Sequence, residues 1–334
     1  MSSMSKYDYK ELGLSEEQVL ELYYYMLLAR KLDERFWLLN RAGKIPFVIS
    51  CQGQEAAQVG AAYALDKETD YLAPYYRDLG CVLVFGQTPT EVMMSAFAKP
   101  GDVNSRGRQM PGHFGGRKYR TLSGSSPVTT QFPHAVGAAL AAKMRGEKSV
   151  AYTSTGEGSS NQGDFHEACN FAAVHKLPCI FYIENNGYAI SVPLSKQLGN
   201  HNTADRAIGY GMPGFQIDGN DVLEVYKYCK EAAERGRNGE GPTMIEARTY
   251  RLVPHSSDDD DRAYRSREEV EAAKKQDPLI TFAQYLRDKG VLTEEKEKEM
   301  NDRVMREVNE GTEAAEKEPF FAPEDALTHV YEEQ

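Results

Sequence analysis

The chain contains no run of about 18 consecutive apolar residues, the length that a membrane-spanning helix requires. Its first residues carry Lys6, Asp8, Lys10 and Glu11 where a signal peptide needs an apolar core. A soluble, unprocessed, cytoplasmic protein without a membrane partner is therefore expected. Basic residues are also in short supply: 39 Lys and Arg stand against 50 Asp and Glu, for a net charge of −11. That balance argues against a nucleic-acid partner, which demands a basic footprint. The clearest basic cluster is Arg106, Arg108, Arg117, Lys118 and Arg120. It suits a diphosphate, an acidic partner surface or plain solvation, with solvation as the default. Cysteine is sparse, and Cys51, Cys81, Cys169, Cys179 and Cys229 show neither CxxC nor zinc-like spacing. Buried thiols in a reducing compartment are the expectation. Internal repeats and linker-like composition breaks are missing too. The 334 residues thus read as one domain, with helical extensions over 1–45 and 268–334.

What the chain does have is alternation between helix-like and strand-like segments. Ser15 before Glu16, Glu17 and Gln18 reads as a helix cap, and the helix runs through Leu20, Tyr24, Leu27, Leu28 and Leu32 toward Trp37 and Leu38. Segments 54–64 and 134–144 are rich in Ala and Gly, which suits helices packed closely on a sheet or another subunit. Segment 148–153 reads as a buried strand, 164–176 as a helix and 178–183 as a second strand. Further strands are expected at 215–217 and 244–250, with a turn and helix cap at 218–221. A polar loop follows over 254–267, then a charged helical tail broken near Gly290 and Pro319. Strands joined by crossover helices imply an α/β fold, doubly wound about a mostly parallel sheet.

The chemistry concentrates in Gly156-Glu157-Gly158-Ser159-Ser160-Asn161-Gln162-Gly163 and, one helix and one strand later, Glu184-Asn185-Asn186-Gly187-Tyr188. Gly156 and Gly158 permit a tight turn and the close backbone approach that a phosphate needs. Parallel strands joined by a crossover helix end at one edge of the sheet, where open α/β sheets bind ligands. Glu157 and Asn186 can therefore meet. A carboxylate, an amide oxygen and the Tyr188 carbonyl, with two diphosphate oxygens and a water, would complete a Mg²⁺ octahedron. Each turn alone is ordinary. Together they resemble the thiamine-diphosphate-binding motif.

The resemblance widens over roughly Glu17 to Tyr331. Gly53-Gln54-Glu55, Tyr75-Tyr76-Arg77, Gly107-Arg108-Gln109-Met110-Pro111-Gly112-His113, Ser125-Ser126-Pro127 with Thr130-Gln131, and Tyr250-Arg251 with His255-Ser256 are similar to α subunits of heterotetrameric 2-oxoacid dehydrogenases. Two features resemble the branched-chain (2-oxoisovalerate) type of Bacillus-like bacteria. Glu157 stands where pyruvate relatives usually carry Asp, and His255-Ser256-Ser257-Asp258-Asp259-Asp260-Asp261 stands where they carry a His-Ser-Met-Ser-Asp-Pro-like run.

The resemblance implies an enzyme that decarboxylates branched-chain 2-oxoacids with thiamine diphosphate and acylates lipoyl groups. It implies Mg²⁺ on Glu157, Asn186 and the Tyr188 carbonyl, and cofactor contacts from Tyr76, Arg77, Ser126, Val128, Gly156, Gly158, Ser159 and His255. His255 is also the catalytic candidate, assisting transfer to lipoamide. Outside that context Arg77 is an ordinary structural arginine and His255 an ordinary loop residue. Ser125, Pro127, Thr130 and Gln131 match a K⁺-binding loop of mitochondrial relatives, with a helix-capping turn as the alternative. Glu184 stands where some of those relatives place an Arg against the diphosphate, a contact that an acid does not make. Ser256 and Ser266 match their phosphoserine positions, yet nothing in the sequence shows a kinase site, and the hydroxyls can simply order the loop. Asp258 to Asp261 are either a solvated run or loop-ordering groups. Phe47, Tyr75 and Tyr76 form a substrate wall or pack in the core. The implied partners are a β subunit in an α2β2 heterotetramer and a lipoyl-bearing dihydrolipoyl acyltransferase. A pyruvate or acetoin dehydrogenase α subunit, or a noncatalytic assembly subunit of the same fold, is the alternative.

Overall fold

The computed structural model describes residues 5–200 and 202–328. Residues 1–4 and 329–334, the outer ends of the two expected extensions, lie outside the described residues, and so do His201 and Tyr331. Ser15 caps α1 (Glu16–Arg41) through a capping box: its hydroxyl accepts from the Gln18 N–H, and the Gln18 side chain accepts from the Ser15 N–H. The chain continues through α2 (Glu55–Tyr63), β1 (Tyr71–Ala73), α3 (Leu79–Val84), α4 (Pro89–Ala96) and α5 (Gln131–Met144). Next come β2 (Ala151–Gly156), α6 (Gly163–Val174), β3 (Cys179–Asn185), the short pair β4 (Tyr188–Ala189) and β5 (Val192–Pro193), and α7 (Arg206–Tyr210). Then β6 (Gly214–Asp218), α8 (Val222–Arg237) and β7 (Thr243–Arg248) complete the sheet. The helices α9 (Arg267–Lys274), α10 (Pro278–Asp288) and α11 (Glu294–Lys317) form the C-terminal extension.

The five-stranded sheet has the order β1-β2-β3-β7-β6, and every pairing in it is parallel. Strand side chains alternate between faces, and β3 shows the result directly. Ile180 and Tyr182 enter a core shared with α1, α2 and α8, whereas Cys179, Phe181 and Ile183 enter a second core with α5 and α6. Two apolar faces covered by helices are what a parallel sheet requires, and the doubly wound arrangement follows. β2, expected from 148, begins three residues later than the sequence suggests. The Val150 N–H is taken by the Asp70 carboxylate at 2.8 Å, so the ladder opens at Ala151.

Three elements left no periodic signal. β1 is three residues long, and the fully buried α3 is apolar on all sides. α4 starts from a Thr88–Glu91 capping box. The expected loop over 254–267 carries one 3₁₀ turn, and the charged tail breaks additionally before Pro278. All five cysteines are buried free thiols. No helix among the described residues is long and apolar enough to cross a membrane.

One buried ionic cluster ties the C-terminal extension to the sheet-packing helices. The Arg30 guanidinium on α1 donates to Glu55 at the start of α2 and, bidentately at 2.8 and 3.0 Å, to Asp277 before α10. All three residues are buried. Removing one member of such a cluster leaves the others uncompensated in a poor dielectric. Arg30→Leu should therefore lower unfolding free energy by about 3–5 kcal/mol, read from the shift in urea midpoint. A loss within the range of an ordinary surface substitution would show that the cluster does not hold the extension.

Candidate active site

Gly156 of β2 pairs with Glu184 of β3, so the residues that follow each strand leave the sheet side by side. The Asn186 N–H donates to Glu157 Oε2 at 3.3 Å, and Gln197 Nε2 donates to Glu157 Oε1 at 3.2 Å. Glu157 and Asn186 are both buried, at 1% and 4% exposure. Burial raises the Glu157 carboxyl above its ordinary range, against these donors and the more distant Arg251 charge. A carboxylate held this way favours a cation. Gly158 has no freedom to be anything larger, because a Cβ there would lie 2.4 Å from Ala189 Cβ. At Gly156 the same space is open, with nothing nearer than 4.0 Å.

A cavity of about 330 Å³ opens at this edge. Of the residues singled out from sequence, Tyr75, Tyr76, Arg77, Val128, Gly156, Glu157, Gly158, Ser159, Asn186, Tyr188 and His255 line it, joined by Gln162, Ala189 and Ile190. Arg77 comes from the turn after β1 and His255 from the loop after β7, so with the turns after β2 and β3 four strand ends supply the wall.

The electrostatics of His255 follow from its neighbours. Arg251 Nη1 lies 2.8 Å and Arg77 Nη2 3.2 Å from His255 Nδ1. A guanidinium has donors only, so Nδ1 accepts and the ring proton sits on Nε2. Burial, then the Arg77 and Arg251 charges, push its pKa down to about 3, with Asp259 opposing. Both arginines are nearly fully buried, and the Nε of each has no partner. Arg77 Nη1 also donates to the Ser50 carbonyl, and Arg251 Nη2 donates to the Ile190 carbonyl at 2.9 Å.

The acidic run splits in two. Asp259 accepts from the His255 N–H at 2.8 Å and from the Tyr264 hydroxyl, and Asp261 pairs with Arg265. Arg265 in turn donates to the Arg251 carbonyl at 2.6 Å. These two aspartates order the loop, while Asp258 and Asp260 are exposed. Ser256 is buried, and Ser266 is the exposed cap of α9, accepting from the Glu269 N–H at 3.1 Å.

Some expected residues stand apart from the cavity. Ser126 is not in its lining; its hydroxyl meets His113 Nε2 at 2.8 Å, while His113 Nδ1 lies 2.7 Å from the Met110 carbonyl. A carbonyl only accepts, so Nδ1 donates and the Ser126 hydroxyl donates to Nε2. Ser125, Thr130 and the Pro127 carbonyl form one hydrogen-bonded turn, and Gln131 donates to the Ser154 carbonyl at 2.8 Å. Thr130 occupies the cap position of α5 without capping it. Phe47 shares a second, small apolar cavity with Tyr76. Tyr75 does line the first cavity, and its hydroxyl donates to Glu184 at 3.0 Å. Glu184 is fully buried beside Asp78, whose carboxyl burial and the Glu184 charge raise well above the carboxylate range. Among the basic cluster, Arg108 binds the carbonyls of Asp325 and Thr328, and Arg120 stacks on Tyr71. Sequence reasoning missed Arg251, Gln197 and Asp78 as members of the site. The Tyr-Arg pair at 250–251 and the Asp after Arg77 were visible, but their inward orientation was not.

The His255 environment has a measurable signature. Its folded pKa lies below its ordinary value of 6.5, so the unfolded chain binds the proton more readily. The associated stability is complete above pH 6.5 and is lost as pH falls toward 3, at up to about 1.4 kcal/mol per pH unit. Without ligand, the unaltered protein should lose stability relative to His255→Gln between pH 7 and 5. A pH-independent difference in unfolding free energy would mean that His255 is not held neutral.

This geometry sits in a chain with clear relatives. It is 63% identical over 328 residues, 98% of this chain and 99% of the relative, to the 2-oxoisovalerate dehydrogenase subunit alpha of Bacillus subtilis. It is 44% identical over 323 residues to the 3-methyl-2-oxobutanoate dehydrogenase subunit alpha of Mycobacterium tuberculosis, covering 96% of this chain and 84% of that one. Identity to the pyruvate dehydrogenase E1 component subunit alpha of Staphylococcus aureus is 41% over 324 residues, 96% of this chain and 82% of that one. The family description "Dehydrogenase E1 component" matches residues 23–324, a span that takes in both strand-end turns, Arg77 and His255. With its cavity, its parallel sheet and nearly its whole length inside that match, the chain belongs to the dehydrogenase E1 component family.

Proposed function

We propose that the chain is the α subunit of the decarboxylating first component of a branched-chain 2-oxoacid dehydrogenase complex, and that its cavity anchors thiamine diphosphate with Mg²⁺. The observation that carries this reading is the lining of a single cavity. A buried carboxylate and amide, Glu157 and Asn186, face the same space as Arg77 and His255. Cation-binding and anion-binding groups side by side are what a metal diphosphate needs. The 63% identity to a 2-oxoisovalerate dehydrogenase subunit alpha supports the branched-chain assignment over a pyruvate one.

The residues fit the group. The open space above Gly156 gives a phosphate access to the backbone, and Arg77 Nε is a buried donor without an acceptor. Glu157, the Asn186 amide oxygen and the Tyr188 carbonyl would hold Mg²⁺, and the Arg77 fork would pair with phosphate oxygens. When bound, thiamine diphosphate supplies a nucleophilic carbon and a sink for the electron pair released with CO₂. His255 presents its Nε2–H as a neutral donor. An anionic phosphate nearby would raise its pKa from about 3 toward the range in which imidazole exchanges protons. Ser125, Thr130 and the Pro127 carbonyl gather oxygens of the kind K⁺ takes, as a secondary site. A β subunit would complete the cofactor site in an α2β2 assembly, and a lipoyl-bearing acyltransferase would receive the acyl group.

Three outcomes test the reading. Glu157→Ala and Asn186→Ala should each weaken Mg²⁺-dependent thiamine diphosphate binding in calorimetry while the assembled protein stays folded; unchanged affinity would remove the metal assignment. The assembly should show higher kcat/KM for 3-methyl-2-oxobutanoate than for pyruvate, although a hydrophobic pocket separates such substrates by only about 1–3 kcal/mol per methylene. Robust decarboxylation by this chain with the β subunit demonstrably absent would overturn the shared site.

A further inference from the structure

The Gly53-Gln54-Glu55 run has two residues with evident tasks. Gly53, at φ +92°, is pressed so close to the Tyr250 carbonyl that a Cβ would come within 2.2 Å of it. Glu55 holds Arg30 and accepts from the Gly53 N–H at 2.9 Å. Gln54 is different. It is fully buried, and its carboxamide makes one hydrogen bond: Oε1 accepts from Asn186 Nδ2 at 3.4 Å, while Nε2 has no partner. An unsatisfied buried N–H is destabilising, and an apolar side chain of equal size would not carry that penalty. Among the described residues, the contact with Asn186 is what the Gln54 amide provides.

That contact bears on which end of the Asn186 carboxamide is free. The group has an oxygen and a nitrogen of nearly the same shape, and only the oxygen ligates a cation. Gln54 Oε1 engages Nδ2, which leaves Oδ1 on the opposite side of the carboxamide, where the Tyr188 N–H lies at 3.3 Å. One helical turn on, Gln58 holds the other half of the site. Its Nε2 donates to the Arg77 carbonyl and to Glu184, both at 3.1 Å, and its Oε1 accepts from the Gly80 N–H at 3.0 Å. Residues four apart share one face of a helix, so the start of α2 addresses both strand ends at once.

We propose that Gln54 is a positioning residue that holds the Asn186 carboxamide with its oxygen toward the Mg²⁺ position. The inference rests on the cavity reading given above. Groups behind a metal ligand fix its orientation and commonly change metal affinity by 10–100-fold when replaced.

The test is the Mg²⁺ dependence of thiamine diphosphate binding, by titration calorimetry on the chain assembled with its β partner. Gln54→Met keeps the volume and loses the acceptor, and it should raise the Mg²⁺ requirement roughly 10-fold without lowering the thermal midpoint of the ligand-free assembly. Gln54→Glu offers acceptors only and should restore the unaltered requirement. In an Asn186→Asp background, where either side of the group presents oxygen, adding Gln54→Met should change the Mg²⁺ requirement no further. An unaltered requirement in Gln54→Met, or an equal loss in the Asp background, overturns the role of Gln54 while leaving the cavity reading in place. Binding by the unaltered assembly that ignores Mg²⁺ overturns the cavity reading itself, and the proposal with it.

Discussion

The register of β2 against β3 is the constraint on which the site depends. With Gly156 opposite Glu184, the chain must turn out of the sheet at both strands together, and the two turns carry the buried Glu157 and Asn186 to that edge of the cavity. A slip of one residue would send every side chain of β3 to the other face, exchanging Tyr182 and Phe181 between the two cores. The packing of helices on both faces therefore fixes where the ligand groups stand. Fold and site are specified by the same alternation.

Charge is the second organising problem. Two buried guanidiniums, Arg77 and Arg251, converge on one imidazole nitrogen, an arrangement that neither burial nor like-charge repulsion favours. It persists because each is held from behind by backbone carbonyls, those of Ser50 and Ile190, and because Asp259 and Arg265 brace the loop that brings Arg251 inward. The price is a histidine kept neutral and two Nε donors left without acceptors. Such donor-rich, acceptor-poor cavities suit an anion, and the acidic surface of the rest of the chain does not interfere with them at depth, because solvent and salt screen it.

Much of this was legible in the sequence, and the reasons are specific. The Ser15 cap, the sheet strands at 178–183, 215–217 and 244–250 and the Asp221 cap each rest on local chemistry, and local chemistry prevailed there. The meeting of Glu157 with Asn186 needed only parallel topology. What stayed hidden needed packing. α3 has no polar residue to mark a face, and β1 is too short to alternate. Ser126 reads as a cofactor contact by likeness, and its hydroxyl meets His113 outside the cavity lining. Nothing in the sequence pairs Glu184 with Asp78. Only the sheet edge reveals them as a buried pair.

The ionic cluster of Arg30, Glu55 and Asp277 has a bearing on how the protein is made. Arg30 and Asp277 are separated by 247 positions, and a ribosome adds about 5–20 residues per second. Roughly 12 to 50 s thus pass between the emergence of the first partner and the last. Throughout that interval α1 and α2 have their cation and one carboxylate but not the second, and the apolar face that α10 will cover is still bare. Until residue 277 has been translated, the first helical layer lacks both the second carboxylate of this cluster and the cover that α10 provides, and exposed apolar surface of that kind is what makes folding intermediates prone to aggregate.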